Sequence, residues 1–270
     1  MTIDFQTREA KQPKQGSLAS ISYSRDDHAK VDETDIVFEL FDHSTPKLML
    51  DVGAHYGSSA KPFAEKGWRI HCFEPDPSNR EHLIKKFKTS PNVTIDDRAV
   101  GETAEKGKPF FSSEESTGIS GMLAFRDSHE QSALVDVTTV ADIIKDNQIS
   151  HIDFLKIDVE GYDFGVLKGV PWDVLKPDII ECEFEDAKTV HLGHTWKDIC
   201  EYLNEKGYEV YVSEWHPIIR YGIAHDWFTL KRYPCALSND QAWGNLLAFK
   251  RDPGEQAIYD AVQKVVVLRN

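Results

Sequence analysis

The chain is poor in cysteine. Four occur in 270 residues, at 72, 182, 200 and 235, with no Cys-x-x-Cys pair. Neither a disulfide framework nor a cysteine-built zinc site can organise such a sequence, so the four read as small buried hydrophobes. No apolar run approaches the length of a membrane span. Met1 to Lys14 is polar and carries no apolar signal region. A cytoplasmic protein without a membrane span is therefore expected. Positive charge is also short: 31 Lys and Arg stand against 45 Asp and Glu, a formal net charge of −14. Such a surface repels phosphate backbones, which argues against nucleic acid as a partner. Lys85–Lys88 is the densest basic stretch and reads as a solvated helix face. No internal repeat and no low-complexity tract interrupts the chain.

What is present is an ordinary globular composition, 40% hydrophobic and 28% charged, long enough for one large core. Residues 1–34 are rich in Lys, Gln, Ser and Asp without clear periodicity. They are expected to be a weakly ordered or accessory extension to a main domain over 35–270. From residue 47 strands and helices alternate. Strands are expected at 47–51, 69–74, 93–96, 154–158, 178–183, 208–212 and 245–249. Helices are expected at 58–66, 78–88, near 165, at 195–205 and at 255–268. Strict alternation implies an α/β fold: a doubly wound, Rossmann-like, seven-stranded and mostly parallel sheet. Residues 215–235 form an aromatic insertion (Trp215, Tyr221, Trp227, Phe228, Tyr233) before the last strand. It reads equally as a lid over the acceptor, with Trp227 in contact with it, or as a patch sealing the sheet edge.

Two segments carry the chemistry of a cofactor. Leu48 to Gly57 reads Leu-Met-Leu-Asp-Val-Gly-Ala-His-Tyr-Gly, an apolar strand ending in Asp51 and a glycine turn opening a helix. A helix length later, Cys72 to Pro77 ends a second strand in Glu74. An acid about 20 residues past a glycine turn is placed to accept the hydroxyls of a ribose. Gly53 and Gly57 are spaced G-x-x-x-G, not as the G-x-G-x-x-G of a pyrophosphate-binding turn. Gly53 allows the sharp turn and Gly57 close packing as the helix starts. A nucleoside cofactor without phosphates fits better, and S-adenosylmethionine is one. Asp51 then receives the ammonium of its amino-acid tail and Glu74 its ribose. Asp96-Asp97-Arg98-Ala99 follows the third strand, where an acid can meet the adenine amino group.

Phe154-Leu-Lys-Ile-Asp-Val-Glu-Gly161 marks the other end of the site. Alternation puts Phe154, Lys156 and Asp158 on one face. A lysine inside a central strand needs a partner, and Glu181 or Glu183 on the next strand is expected to supply it. Asp158, Glu160 and Glu183 converge at the carboxyl ends of their strands, near the reactive end of the cofactor. Transfer of a sulfonium methyl to a hydroxyl is an in-line displacement, assisted by alignment and by removal of the hydroxyl proton. Three proton-removing arrangements stand open: a carboxylate (Asp158, Glu183), a histidine after strand five (His191 or His194), or a divalent cation held by Asp158 and Glu183. No metal is assigned.

At these residues the chain resembles the FkbM family of S-adenosylmethionine-dependent methyltransferases. The carrying segments are Asp51–Gly57, Phe73–Pro77, Arg98–Gly101 and Phe154–Gly169, the last the most distinctive. The resemblance spans roughly residues 47–250. It implies a class I methyltransferase fold with its last strand antiparallel, and O-methylation of a sugar, glycan or secondary metabolite. Asp51, Gly53 and Gly57 match the cofactor loop, Glu74 the ribose acid, and Asp97 to Ala99 the adenine region. Ser116 to Gly121, including Ser120, matches a Ser/Gly-rich stretch near the cofactor, and Asp158 and Glu160 the Asp-Val-Glu-Gly motif. His55 stands where the family commonly has asparagine, a departure that leaves backbone recognition intact and bears on contacts to the methionine tail. The other readings are a nicotinamide-dependent oxidoreductase, disfavoured by the glycine spacing and by Val166 four residues after Tyr162, and a non-catalytic nucleoside-binding module. Acceptor identity and oligomeric state do not follow from the sequence.

Overall fold

A computed structural model describes residues 16–113, 121–122, 129–220 and 223–269. Its centre is an eight-stranded sheet. The strands are β1 (Leu48–Val52), β2 (Arg69–Phe73), β3 (Val93–Asp96), β4 (Phe154–Ile157), β5 (Ile179–Glu185), β6 (Glu209–Trp215), β7 (Trp227–Arg232) and β8 (Trp243–Phe249). They lie in the order β7-β6-β8-β5-β4-β1-β2-β3. Neighbours from β3 to β5 are parallel, whereas β8 runs antiparallel to both β5 and β6. This is the expected doubly wound sheet with its last strand reversed, plus one strand more. The additional strand, β7, pairs antiparallel with β6 at the edge.

Two apolar layers sandwich the sheet because the strands alternate. Leu48, Leu50 and Val52 of β1 face one layer, built with α4 (Val140–Asp146), α5 (Asp163–Lys168) and α7 (Trp196–Glu205). Met49 faces the other, built with α1 (Glu33–Leu40), α2 (Ala60–Glu65), α3 (Pro77–Lys86) and α8 (Glu255–Val265). Asp76 caps α3 by accepting from the amides of Ser78 and Asn79, with Pro77 at the first helical position. The apolar stripe of α8 (Ile258, Ala261, Val262) is buried in this second layer. Ala99–Val100, Glu105–Ser113 and His129–Thr138 form a separate three-stranded sheet between β3 and α4. Among the described residues, no helix is long and apolar enough to cross a membrane.

Two stretches bear directly on their sequence readings. Of the two readings of the aromatic insertion, its tryptophans Trp215 and Trp227 follow the sheet-edge patch and not the lid. Trp227 is fully buried in β7, its indole donating to Ser213 Oγ at 2.8 Å, and Trp215 is buried in β6. Aromatic side chains packed at the sheet edge account for the insertion's composition. Tyr221 lies outside the described residues. Residues 16–34 are packed despite their polar composition. Leu18, Ile21, Ala29 and Val31 are buried in the second layer, and Thr229 of β7 donates to the carbonyl of Ile21 at 2.5 Å. A few well-spaced apolar residues suffice to dock such a strap without any periodicity. Residues 1–15 lie outside the described set.

Candidate cofactor and reaction site

The strand order reverses beside β1, between β2 and β4, and a crevice opens there at the carboxyl ends of the strands. It is a cleft with about 710 Å³ of space including its open mouth. Val52, Gly53 and His55 line it from the end of β1 and the turn after it, Phe73, Glu74 and Pro75 from the end of β2 and just beyond, Arg98 and Ala99 from the segment after β3, and Asp158 and Glu160 from the turn after β4. Phe110 of the small sheet and Met122 packed beside it close one wall.

The turn after β1 is fixed by its own hydrogen bonds. The amides of Gly53 and Ala54 both donate to Phe73 O at 3.0 Å, and Gly57 N donates to Ala54 O at 2.7 Å. His55 N donates to Glu74 Oε2 at 2.7 Å. A phosphate cradle requires such amides to point at the ligand. Here they are already engaged, so the turn suits a ligand without phosphates. Gly53 has φ +81°, and a Cβ there would overlap the carbonyl oxygen of Asp158, so only glycine lets β4 close against the turn. His55 adopts φ +47°, a region tolerated by asparagine and histidine above most residues. Its ring stacks on Tyr56 with centroids 3.9 Å apart, and burial lowers its basicity.

Glu74 is 5% exposed and reaches into the cleft with both oxygens oriented, Oε2 by His55 N and Oε1 by Asp76 N at 2.9 Å. Each oxygen retains a lone pair for a ligand hydroxyl. Burial pushes its carboxyl up to about 7, against the pull of the two amides. Asp51 lies behind the turn at 0% exposure, and neither carboxylate oxygen has a hydrogen-bond partner among the described residues. Lys156 Nζ is 3.9 Å away. Burial raises Asp51 to about 6. A buried carboxylate with unmet hydrogen-bonding capacity favours a cationic ligand group. Glu74, Asp51 and the engaged turn thus fit a nucleoside carrying an ammonium tail.

Lys156 is buried and turns towards the rim. Its Nζ donates to Asp158 Oδ2 at 3.2 Å, whereas Glu181, its register neighbour on β5, accepts instead from Thr34 Oγ1 at 3.1 Å. The expected glutamate partner is thus replaced by Asp158, two residues along the same strand. The side chain lies along its own strand, and α1 supplies Glu181 with a partner. At the rim, carboxylate oxygens of Asp158, Glu160 and Glu183 lie within 4.8 Å of one another. Lys188, on α6 (Asp186–Thr189), stands among them: its Nζ is 2.6 Å from Glu160 Oε2, 3.2 Å from Glu183 Oε2 and 3.0 Å from Glu185 Oε2. Burial raises Glu160 to about 7 and Glu183 well above the usual carboxylate range, with the Lys188 ammonium pulling both back. Behind them burial lifts Asp163 to about 8.

The structure therefore brings Gly53, His55, Glu74, Ala99 and Asp158 to the cleft, with Asp51 directly behind it and Glu183 at its rim. It does not bring the rest. Gly57 faces Phe87 and Leu83, a packing role against α3. Asp97 is exposed, and Arg98, its guanidinium held by Asp96 at 2.6 Å, lines the cleft in its place. His191 is exposed on a 3-10 turn (Val190–Leu192), and His194 packs on Phe164 with ring centroids 5.1 Å apart. Neither lines the cleft. Ser120 lies outside the described residues. Lys188 escaped the sequence reading, although a signal existed. Glu181, Glu183 and Glu185 share one strand face, and so many acids on one face require a nearby cation.

Residues 51–210, more than half of the chain, match the model of the Methyltransferase FkbM domain. A curated relative, the hexuronic acid methyltransferase AglP of Haloferax volcanii, is 24% identical over 174 residues, covering 64% of this chain and 68% of that protein. Solved structures with a similar fold include the magnesium protoporphyrin IX methyltransferase ChlM of Synechocystis with bound SAM. It is 11% identical with a TM-score of 0.42, covering 81% of this chain and 77% of that one. Another is a precorrin-6y C5,15-methyltransferase of Geobacter metallireducens, 15% identical with a TM-score of 0.39, covering 80% and 88%.

Proposed function

Since the chain belongs to the FkbM methyltransferase family, we propose that it is an S-adenosylmethionine-dependent O-methyltransferase acting on a hydroxyl of a sugar, glycan or related metabolite. The observation that carries this reading is the pair of buried carboxylates, Glu74 and Asp51, flanking a turn whose amides are already bonded. A dinucleotide offers that turn a pyrophosphate it has few free amides to hold, which disfavours the oxidoreductase reading.

S-adenosylmethionine in this cleft supplies an electrophilic methyl group. Glu74 accepts the two ribose hydroxyls. Asp51, with no hydrogen-bond partner among the described residues, offers its carboxylate to the ammonium of the tail. Ala99 and Arg98 wall the adenine end. Asp158, whose side chain is 41% exposed, faces the open part of the cleft and takes the acceptor hydroxyl proton as the oxygen attacks. Lys156 orients it. Glu183 belongs to the same rim and shapes its charge. With His191 and His194 away from the cleft-lining residues, a carboxylate is the base we favour.

A sugar acceptor is supported by the relative whose name specifies a hexuronic acid, and the net charge of −14 favours small molecules or glycans over nucleic acid. The test is incubation with methyl-labelled S-adenosylmethionine and a panel of glycosides and glycan extracts, followed by NMR of the labelled product. Label in a methyl ether is expected. Label on nitrogen or carbon, or no transfer to any carbohydrate while another metabolite class is methylated, contradicts the assignment.

A further inference from the structure

We infer that Lys188 is a resident cation of the reaction end: its ammonium takes the place among the rim carboxylates that a divalent metal would otherwise fill, and acts as a positioning residue there. The oxygens of Asp158, Glu160 and Glu183 are within 4.8 Å of one another, a spacing that ligands of a hard divalent ion show. Carboxylates this close repel when ionised, and a cation among them offsets that repulsion. Lys188 supplies one. It is 2% exposed, and three carboxylates lie 2.6 to 3.2 Å from its Nζ, one for each N–H an ammonium can donate.

The backbone is shaped for this contact. Lys188 sits on the short α6, directly after β5, so Glu183, Glu185 and Lys188 are fixed by one continuous segment. Glu160 reaches it from the turn after β4 with φ +57°, a conformation that a non-glycine residue holds only at some cost. Gly161 follows at φ +93°, where a Cβ would come within 3.2 Å of the Lys188 Cβ. A desolvated ammonium with three acids is held firmly, and removing it leaves buried charge uncompensated. Asp158 is outside its hydrogen-bonded set and is oriented by Lys156 instead. The acid facing the cleft mouth and the acids behind it thus have separate lysines, and no metal ion is needed to assemble them. The role assigned to this rim rests on the methyltransferase reading; the placement of the cation does not.

The test is calorimetric titration of the chelator-treated full chain with MnCl2. A His151→Ala background is used because His151, Asp153 and Asp178 form a second, partly exposed cluster of potential ligands. The background and its Lys188→Arg variant are expected to bind no Mn²⁺ at the rim up to ~1 mM, the weak end of protein sites for such ions. Lys188→Ala is expected to take up one Mn²⁺ at least ~100-fold more tightly than that limit, and to lose it again on adding Glu183→Gln. Mn²⁺ binding in the background that Glu183→Gln abolishes would overturn the inference. So would a Lys188→Ala variant with an unchanged melting temperature that takes up none. If Lys188→Ala does not fold, the background titration still decides the point. S-adenosylhomocysteine binding by the same proteins reports the cofactor reading separately.

Discussion

Replacing Glu74 probes the cofactor cleft with a magnitude that can be worked out in advance. The carboxylate has two tasks. It accepts from the amides of His55 and Asp76, and by the present account it accepts from both ribose hydroxyls. Hydrogen bonds to a charged group contribute about 1.5–3 kcal/mol each. Losing two costs about 3 kcal/mol or more, roughly 100-fold in affinity. Glu74→Ala also leaves two buried amides without an acceptor, so a lower melting temperature accompanies the loss. Binding must therefore be compared at a temperature where circular dichroism shows the variant folded.

The pH dependence separates the two tasks. In the ligand-free protein burial holds Glu74 near 7. Its raised value means that the free protein binds a proton which the ribose complex releases, so affinity grows as pH rises through about 7 and levels off above. At pH 6 only about a tenth of the molecules carry the carboxylate, and the apparent Kd for S-adenosylhomocysteine should be about 10-fold weaker than at pH 8. Glu74→Gln should flatten that step and leave a smaller one near 6, where Asp51 titrates. Calorimetry over pH 5.5 to 8.5 reads both. A folded Glu74→Ala protein that binds within twofold of wild type, or a wild-type affinity independent of pH over this span, refutes the reasoning.

Three further substitutions separate turn, chemistry and edge. Gly53→Ala sets a Cβ against the Asp158 carbonyl at a positive φ, so a loss of about 3 kcal/mol or more in denaturant unfolding is expected, with cofactor binding lost as well. Asp158→Asn should leave S-adenosylhomocysteine affinity within a few fold while slowing methyl transfer by about 100-fold or more, as loss of a general base does; unchanged turnover removes Asp158 from the reaction. Trp227→Ala opens a cavity in a fully buried site and should cost about 3–5 kcal/mol of stability with no selective effect on the acceptor. A folded variant of normal stability with weakened acceptor binding would restore the lid interpretation.

Much of the scaffold was legible because its signals are local. The apolar run of β1 and the alternation of Phe154, Lys156 and Asp158 depend on neighbours in sequence. Glu74 was legible because a fixed βα unit sets its distance from the glycine turn. Contacts between distant segments were not. Lys156 exchanged its expected glutamate for Asp158 because Thr34, far away in the chain, partners Glu181. Lys188 gathers acids from the ends of two strands, a meeting that no spacing announces. The strand β7 looked like a loop because its aromatic residues serve equally as edge-strand packing and as a binding face. Asp97 and Arg98 are adjacent, and only the twist of the chain after β3 decides which of them lines the cleft.

The account depends on what lies in that cleft, and one measurement addresses it most directly. Calorimetric titration of the full chain at pH 8 with S-adenosylhomocysteine, and separately with NADH, should give saturable one-to-one binding for the first and none for the second. Binding of NADH in preference, or of neither nucleoside, would contradict it.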